Sequence, residues 1–313
     1  MDLRRDDLKR IAHAPAKLNL YLDLLGRRAD GFHEVETLMV PIRLYDSVSF
    51  VPTRRVAGET AAIELDVRVC EPLPTASNCA EIPTGANNLV VRALELLRQQ
   101  SGCELGAKVE LVKRIPSEAG LGGGSSDAAA ALKLGNIGWR LKWPVARLAK
   151  VAAEIGSDVP FFLYGGAAVC RGRGDIIESL PAHAPMHFVV VKPPVGLSTG
   201  KVYEATSKFT DSADGGRQSN GGVREILHAL RAGGAGSFGQ WMGNGLQQAA
   251  SSLSPWVDTL RAAFSQLDFV GHQLSGSGTA YFGVCRHAQL ARRMANILRT
   301  RQLGLVYATR SCQ

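Results

Sequence analysis

Residues 116–131 read PSEAGLGGGSSDAAAA, a glycine-rich turn that runs straight into a row of alanines. A strand-like run, AKVELVKRI, leads into it. Strand, glycine turn and helix start together make an anion trap. The first N–H groups of a helix have no acceptor within it, and the helix dipole adds positive character at that end. Glycines let the approaching backbone curl closely round a phosphate. On this reading Pro116, Gly120, Leu121, Gly122, Gly123, Gly124, Ser125 and Ser126 form a phosphate loop. The hydroxyls of Ser125 and Ser126 are placed to serve phosphate oxygens or a metal ion, with Ser126 the nearer metal ligand. A second reading is purely structural: Ser125, Ser126 and Asp127 are good helix-starting residues, and the alanines permit close packing behind the turn. The loop is no P-loop, since no Gly-Lys-Ser/Thr follows the glycines and no GxGxxG stands in the dinucleotide position.

Alternating strands and helices must carry this loop. Residues 16–25, AKLNLYLDLL, alternate in their middle part as a strand does. HEVETLMVPIRL and DSVSFVP read as two further strands with a turn near Leu44–Asp46. NNLVVRALELLRQQSG has helical spacing, an Asn start and a Gly stop. The helix after the glycines is expected from Ser125, and PVARLAKVAAEIGSD reads as another. AAVCRGRGDIIESL has the look of a hairpin, and MHFVVVKPP that of a strand ended by two prolines. Residues 210–222 are polar and Gly-rich and read as a surface loop. Helices are expected at 223–232, 237–250, 255–266 and about 287–300, with a last short strand at GLVYAT. Hairpins mixed with helices suggest an α+β fold rather than a doubly wound parallel sheet.

Composition narrows the class. The chain has 313 residues, 45% hydrophobic and 20% charged, as an ordinary globular protein with sizeable cores does. No apolar run approaches the roughly 18 residues that cross a bilayer, and MDLRRDDLKR resembles neither a signal peptide nor a transit sequence. The six cysteines are scattered without a CxxC pair, as reduced thiols of a cytoplasmic protein would be. A net charge of +8 fits a solvated basic surface, a nucleotide-phosphate ligand or a nucleic acid. The basic residues come in ones and twos, without a long run. A nucleic-acid-binding protein would show salt-sensitive affinity and no nucleotide turnover, and would leave the glycine loop without a purpose.

The glycine loop resembles the phosphate loop of the GHMP kinases. APAKLNLYLDLLGRRADGFHEVETLM and LSGSGTAYF are similar to that family's first and third motifs, and GSDVPFFLYGGAAVCRGRGD stands between them. The four segments lie in order from about residue 12 to 283. The resemblance implies a two-domain α+β GHMP-kinase fold, with the active site in the cleft between residues 1–170, which bind ATP, and residues 171–313. It implies transfer of the γ-phosphoryl group of ATP, with Mg²⁺, to a hydroxyl. Within the family the DGFH and GSDVPFFLYGG segments point to a small-molecule acceptor carrying cytidine diphosphate linked to methylerythritol, rather than to homoserine or a mevalonate. No nucleic acid or membrane partner is implied, and a monomer or weak homodimer is expected.

Residue by residue, the resemblance makes Asp158 the base that accepts the hydroxyl proton and Lys17 its partner, able to lower the hydroxyl's pKa. Taken alone, Lys17 reads as a solvated strand-edge lysine and Asp158 as a turn aspartate. Asn19, on the same strand face as Lys17, matches a substrate-contacting position. Phe32 and His33 match a pair that engages the cytidine, and Thr199 and Tyr203 the other side of that pocket. Phe32 and Tyr203 are the rings expected to hold the base. Asn88 and Lys113 match adenosine-side positions, although Asn88 alone reads as a helix cap. Two places depart from the pattern. NGLQ at 244–247 stands where an acidic NDLE is usual, and Glu118 puts an acid inside the glycine loop, where it should point away from the phosphates or weaken ATP binding.

Overall fold

The structure is a computed structural model that describes residues 9–54, 61–70, 82–182, 184–210, 222–231 and 238–312. In chain order the elements are β1 (Arg10–Arg27), β2 (His33–Thr53), β3 (Ile63–Val69), α1 (Leu89–Ser101), β4 (Gly106–Lys113), α2 (Gly123–Gly138), α3 (Val145–Ile155), α4 (Val159–Tyr164), β5 (Ala168–Arg171) and β6 (Ile176–Ser179). There follow β7 (His187–Lys192), α5 (Thr199–Thr210), α6 (Val223–Arg231), β8 (Gly243–Asn244), α7 (Gln247–Leu253), α8 (Pro255–Ser265), β9 (Gly271–Leu274), β10 (Tyr281–Cys285), α9 (Ala288–Thr300) and β11 (Leu305–Arg310).

One sheet runs β3-β4-β2-β1-β8, with the β5–β6 hairpin branching from β2; the other runs β11-β7-β10-β9. The chain first leaves the first sheet between Ser179 and His187, so residues 171–179, grouped by sequence with the second half, belong to that sheet, and β8 returns to it later in the chain. Three cores alternate with these layers. Helices α1–α4 cover the first sheet, with Phe50, Leu94, Leu132 and Val151 between them. Leu18, Leu38 and Val40 of the first sheet meet Phe188, Val190 and Phe282 of the second, and α6 closes that core. The far face of the second sheet is covered by α5, α7, α8 and α9. Strand β7 therefore buries both faces, which is why its sequence is an unbroken apolar run.

Three sequence expectations need correction. The two strands expected at 33–52 are one 21-residue strand, β2. In place of a turn there is an irregularity: Pro15 pairs Tyr45 and Ala16 pairs Ile42, so Arg43 and Leu44 are left over. There the even-numbered residues change sides. Val48 and Phe50 face the helices, while Leu38, Val40 and Ile42 face the second sheet. The helix expected at 237–250 is a 3-10 turn at Gly239–Trp241, then β8, then α7 from Gln247. Helix α2 starts at Gly123, two residues before the expected start, because Gly122 in a left-handed conformation (φ 70°) turns the chain into the helix without a side-chain cap. Of the loop expected at 210–222, residues 211–221 lie outside the described residues.

Candidate active site

A cavity of about 970 Å³ opens where the glycine loop, β1, the β5–β6 turn, the start of α5 and the β9–β10 loop meet. Lys17, Asn19, Phe32, His33, Thr199, Tyr203 and Asp158 line it. So do Asn88, Lys113, Pro116, Gly120, Leu121, Gly122, Gly123, Gly124 and Ser125. Ser126 does not. It is 1% exposed, and its hydroxyl has no hydrogen-bond partner among the described residues.

Lys17 sits mid-strand on β1 and is buried, unlike a strand-edge lysine. Its ammonium donates to Asn19 Oδ1 at 2.6 Å and lies 3.5 Å from Asp158 Oδ2. Asp158 is the residue before α4, and its side chain stays 35% exposed toward the cavity. Asn19 Nδ2 donates to Thr37 Oγ1 at 2.8 Å, and the Thr37 hydroxyl donates to the Tyr21 carbonyl at 2.6 Å. Because Thr37's one hydrogen is used there, it can only accept from Asn19, and the Asn19 oxygen must face Lys17. Thr37 lines the cavity and was not foreseen from the sequence.

At the far end the His33 and Tyr203 rings lie 5.4 Å apart, tilted by 39°. Burial, and then the charge of Arg27, hold the His33 imidazole below its ordinary pKa, so it is neutral near pH 7. Burial pushes the Tyr203 phenol up, and the charge of Asp158 adds to this. Phe32 does not pair with Tyr203. It is half exposed, and the Arg173 guanidinium covers its ring at 4.2 Å. Arg173 lines the cavity, and its Nε is buried without a hydrogen-bond partner among the described residues. The Arg173 N–H donates to Asp175 Oδ1, and the neighbouring Val35 N–H donates to the Gly172 carbonyl at 2.8 Å, so the turn is fixed against β2. The sequence offered only RGRGD as a hairpin turn here, and contact with Phe32 could not be read from it.

Behind the loop Lys113 bridges two buried aspartates, Asp46 and Asp127. Asp46 also accepts the N–H groups of Arg114 and Ile115, which fixes the backbone leading into the loop. Asp127 has only Lys113, and its Oδ1 is unpartnered among the described residues. Burial pushes the Asp127 carboxyl up to about 7 against the pull of Lys113, with Asp46 adding to the push. Burial works against the Lys113 ammonium too, but the two carboxylates outweigh it and raise its pKa. Asn88 caps α1 by accepting the Val90 N–H, and its amide donates to the Pro83 carbonyl, so it serves as the helix cap as well as lining the cavity. Glu118 adopts a left-handed backbone (φ 51°), and its side chain lies on Gly196, in the segment before α5.

A resident metal has little to hold it. Among the described residues no group of three His, Cys, Asp or Glu side chains is arranged around a common point. Next to the loop, among the described residues, the buried Ser126 hydroxyl and Oδ1 of the cavity-lining Asp127 are both unpartnered oxygens, and each suits an oxygen-preferring cation as a single ligand.

The profile of the GHMP kinases N terminal domain matches residues 88–166, and that of the GHMP kinases C terminal domain matches residues 226–303. The chain belongs to the GHMP kinase family. It is 38% identical over 284 residues to 4-diphosphocytidyl-2-C-methyl-D-erythritol kinase of Pelotomaculum thermopropionicum, covering 91% of this chain and 92% of the relative. The crystal structure of a 4-(cytidine 5'-diphospho)-2C-methyl-D-erythritol kinase superposes with a TM-score of 0.74 at 33% identity, over 97% of this chain and 100% of that one. Homoserine kinase from Cytophaga hutchinsonii superposes with a TM-score of 0.70 at 19% identity, over 99% and 96%, a likeness of fold alone.

Proposed function

We propose that this chain transfers the γ-phosphoryl group of ATP to the 2-hydroxyl of 4-diphosphocytidyl-2-C-methyl-D-erythritol, a step of the non-mevalonate route to isoprenoid precursors. The observation that carries the reading is the single cavity that joins a glycine loop, a lysine–aspartate pair and an imidazole–phenol pair. Glycine-loop N–H groups and the start of α2 hold the triphosphate. Asp158 accepts the proton of the acceptor hydroxyl, and the Lys17 ammonium offsets the charge that develops on its oxygen. Asn19 keeps the ammonium in place. His33, neutral, accepts from the cytosine amino group, which uracil lacks, and Tyr203 holds the base beside it. Arg173 lies between the base end at Phe32 and the reacting end, since the adjacent Gly174 faces Asp158. A linking diphosphate must cross that interval, and a guanidinium suits it.

Mg²⁺ arriving with the nucleotide would supply neutralisation of charge on the transferring group. The unpartnered oxygens of Ser126 and Asp127 are the protein groups beside the loop that would hold it. Asn88 and Lys113 lie on the adenosine side. A monomer or weak homodimer is the working unit of this reading. Free cysteines and the lack, among the described residues, of a helix long and apolar enough to cross a membrane suit a cytoplasmic location.

The test is an assay of ADP release with four acceptors: the cytidine-diphosphate substrate, its uridine counterpart, homoserine and mevalonate. Turnover should be confined to the first, with weak activity on the second. Asp158→Asn should lose about 10²-fold or more in kcat with ATP KM nearly unchanged. Preferred turnover of homoserine or mevalonate would overturn the reading.

A further inference from the structure

The NGLQ segment, residues 244–247, takes no part in the reaction as described, yet it is bound tightly to a loop that does. Asn244 is 5% exposed. Its amide nitrogen donates to the carbonyls of Leu274 and Gly276, each at 2.9 Å. Its amide oxygen accepts the Leu246 N–H at 2.9 Å. Both amide hydrogens and the oxygen are thus engaged, which leaves the side chain one orientation. Gln247 Oε1 accepts the Leu274 N–H at 3.0 Å. The backbone here is itself fixed to the lysine-bearing strand, since Asn244 pairs with Leu22 on β1 and the Gly245 N–H donates to the Leu22 carbonyl at 2.8 Å.

The gripped loop forms one wall of the lysine's seat. A Cβ added at Gly276 would lie 3.0 Å from Lys17 Nζ and 3.2 Å from Asn19 Oδ1, so the bare backbone there stands against the ammonium. On the other side a Cβ at Gly122 would lie 3.0 Å from Lys17 Cγ, so the phosphate loop backs the stem. Gln273 adds a bond from its amide to the Asn19 carbonyl at 2.7 Å. Lys17 sits between two loops, and Asn244 holds the outer one by two of its carbonyls.

We propose that Asn244 is a positioning residue for phosphoryl transfer: by holding the Leu274 and Gly276 carbonyls it fixes the backbone wall that keeps the Lys17 ammonium against Asn19 and Asp158. This rests on the role given to Lys17 above. Asn244→Asp keeps the shape and the acceptor for Leu246 but replaces the donor with an oxygen facing two carbonyls, so the loop must withdraw. Gly276→Ala removes none of the groups that Asn244 bonds; it puts a methyl group at the ammonium and adds the strain of a side chain at φ 56°.

Each variant is to be measured for kcat per folded molecule, for Tm, and for the rate at which Lys17 is acylated by a water-soluble amine reagent, read by mass spectrometry. Both should lose roughly 10- to 100-fold in kcat, the scale of a reacting group displaced by about 1 Å. Acylation of Lys17 should speed up in Asn244→Asp. The double variant should lose no more than the worse single one, because both act on one seat. Asn244→Ser, which retains one donor and one acceptor, should fall between wild type and Asn244→Asp. Wild-type kcat and wild-type acylation in Asn244→Asp or in Gly276→Ala would overturn the proposal, as would losses that multiply in the double variant. A lowered Tm with unchanged kcat would show Asn244 to be a structural tie alone. Wild-type enzyme inert toward the cytidine acceptor would overturn the functional reading instead, and the acylation rates would still decide the role of Asn244.

Discussion

Lys17→Met removes the ammonium and leaves an unbranched stem in the groove beside Gly122 and Phe162. The lost charge stood 3.5 Å from Asp158. Two unit charges at that distance interact by about 1 kcal/mol in a water-like medium and about 5 kcal/mol at an effective dielectric constant of about 20. The Asp158 side chain is 35% exposed while that of Lys17 is 5% exposed, so the working value lies between these limits. The charge that develops on the acceptor oxygen would meet the ammonium at similar range, and losing about 3 kcal/mol of that stabilisation corresponds to roughly a 100-fold loss of kcat. Stability should move little. Removing one partner of a buried pair is costly because it strands the other charge, but Asp158 is 35% exposed and water can take the place of the ammonium, so that cost is small here. Against that, Asn19 Oδ1 loses its donor, which costs about 1–3 kcal/mol. The Tm of the variant should therefore stay within about 5 °C of wild type. Steady-state ADP release at saturating ATP and acceptor gives kcat, and differential scanning calorimetry gives Tm. A kcat within threefold of wild type would refute the electrostatic role, and a raised acceptor KM with intact kcat would show that Lys17 only binds.

Arg173→Ala should raise acceptor KM by about tenfold, the loss of one charge-assisted contact, and leave ATP KM unchanged; an unchanged acceptor KM would remove Arg173 from the diphosphate. Gly120 has φ 75°, and a Cβ there would collide with the Ser275 carbonyl and the Gly278 N–H, so Gly120→Ala should cost at least about 2 kcal/mol in calorimetry. Gly124→Ala meets nothing nearer than Leu89 Cδ1 at 3.4 Å and should leave Tm unchanged or raise it; equal losses at both positions would contradict the interlocked-loop geometry. Burial and Arg27 lower the His33 pKa, so the ring charges at a lower pH than a free imidazole does. Acceptor KM should be flat from pH 8 to neutrality and rise only as the pH falls through and below the free-imidazole range, and His33→Gln should abolish that rise; a rise that persists in the variant would mean that another group reads the base.

Local signals in the chain were legible. The spacing of NNLVVRALELLRQQSG marked α1 with both its caps, Asn88 and a left-handed Gly102, since capping depends on near neighbours. The alanines after the glycines all turn out buried, as close packing of α2 requires. The misses share one cause, contact between residues far apart in sequence. The 237–250 stretch has residues acceptable to a helix, but β1 claims Gly243 and Asn244 as a strand and the β9–β10 loop claims the Asn244 amide. The apparent turn at Leu44–Asp46 is an irregularity whose purpose lies 67 to 69 residues on, where Asp46 holds Lys113, Arg114 and Ile115. The His33–Tyr203 ring contact and the Arg173 guanidinium over Phe32 each join residues from separate elements, so local spacing showed neither.

The join of loose glycines to stiff alanines has a physical logic beyond the phosphate. A free glycine loop would have to be ordered on binding, and each residue's backbone ordering costs about 1–2 kcal/mol. Here that ordering is already done by the rest of the chain. The Lys17 N–H donates to the Leu121 carbonyl at 2.9 Å, the Ala280 N–H to the Ala119 carbonyl at 3.0 Å, and the Ser275 hydroxyl to the Gly120 carbonyl at 3.1 Å. Those three bonds come from β1 and from the β9–β10 loop, so both halves of the chain hold residues 119–121. Beyond them Gly122 to Gly124 carry no side chain, face the cavity and lead into α2. The carbonyls are tied back, and the helix-start N–H groups, which lack intrahelical acceptors, are left for an anion. The same ties put the Lys17 stem against Gly122, so the groups proposed to meet the phosphate and the ammonium proposed to meet the acceptor share one mount. A phosphoryl group moving between two substrates needs both sites fixed relative to each other. The interlock of the two loops supplies that fixed relation before either substrate arrives.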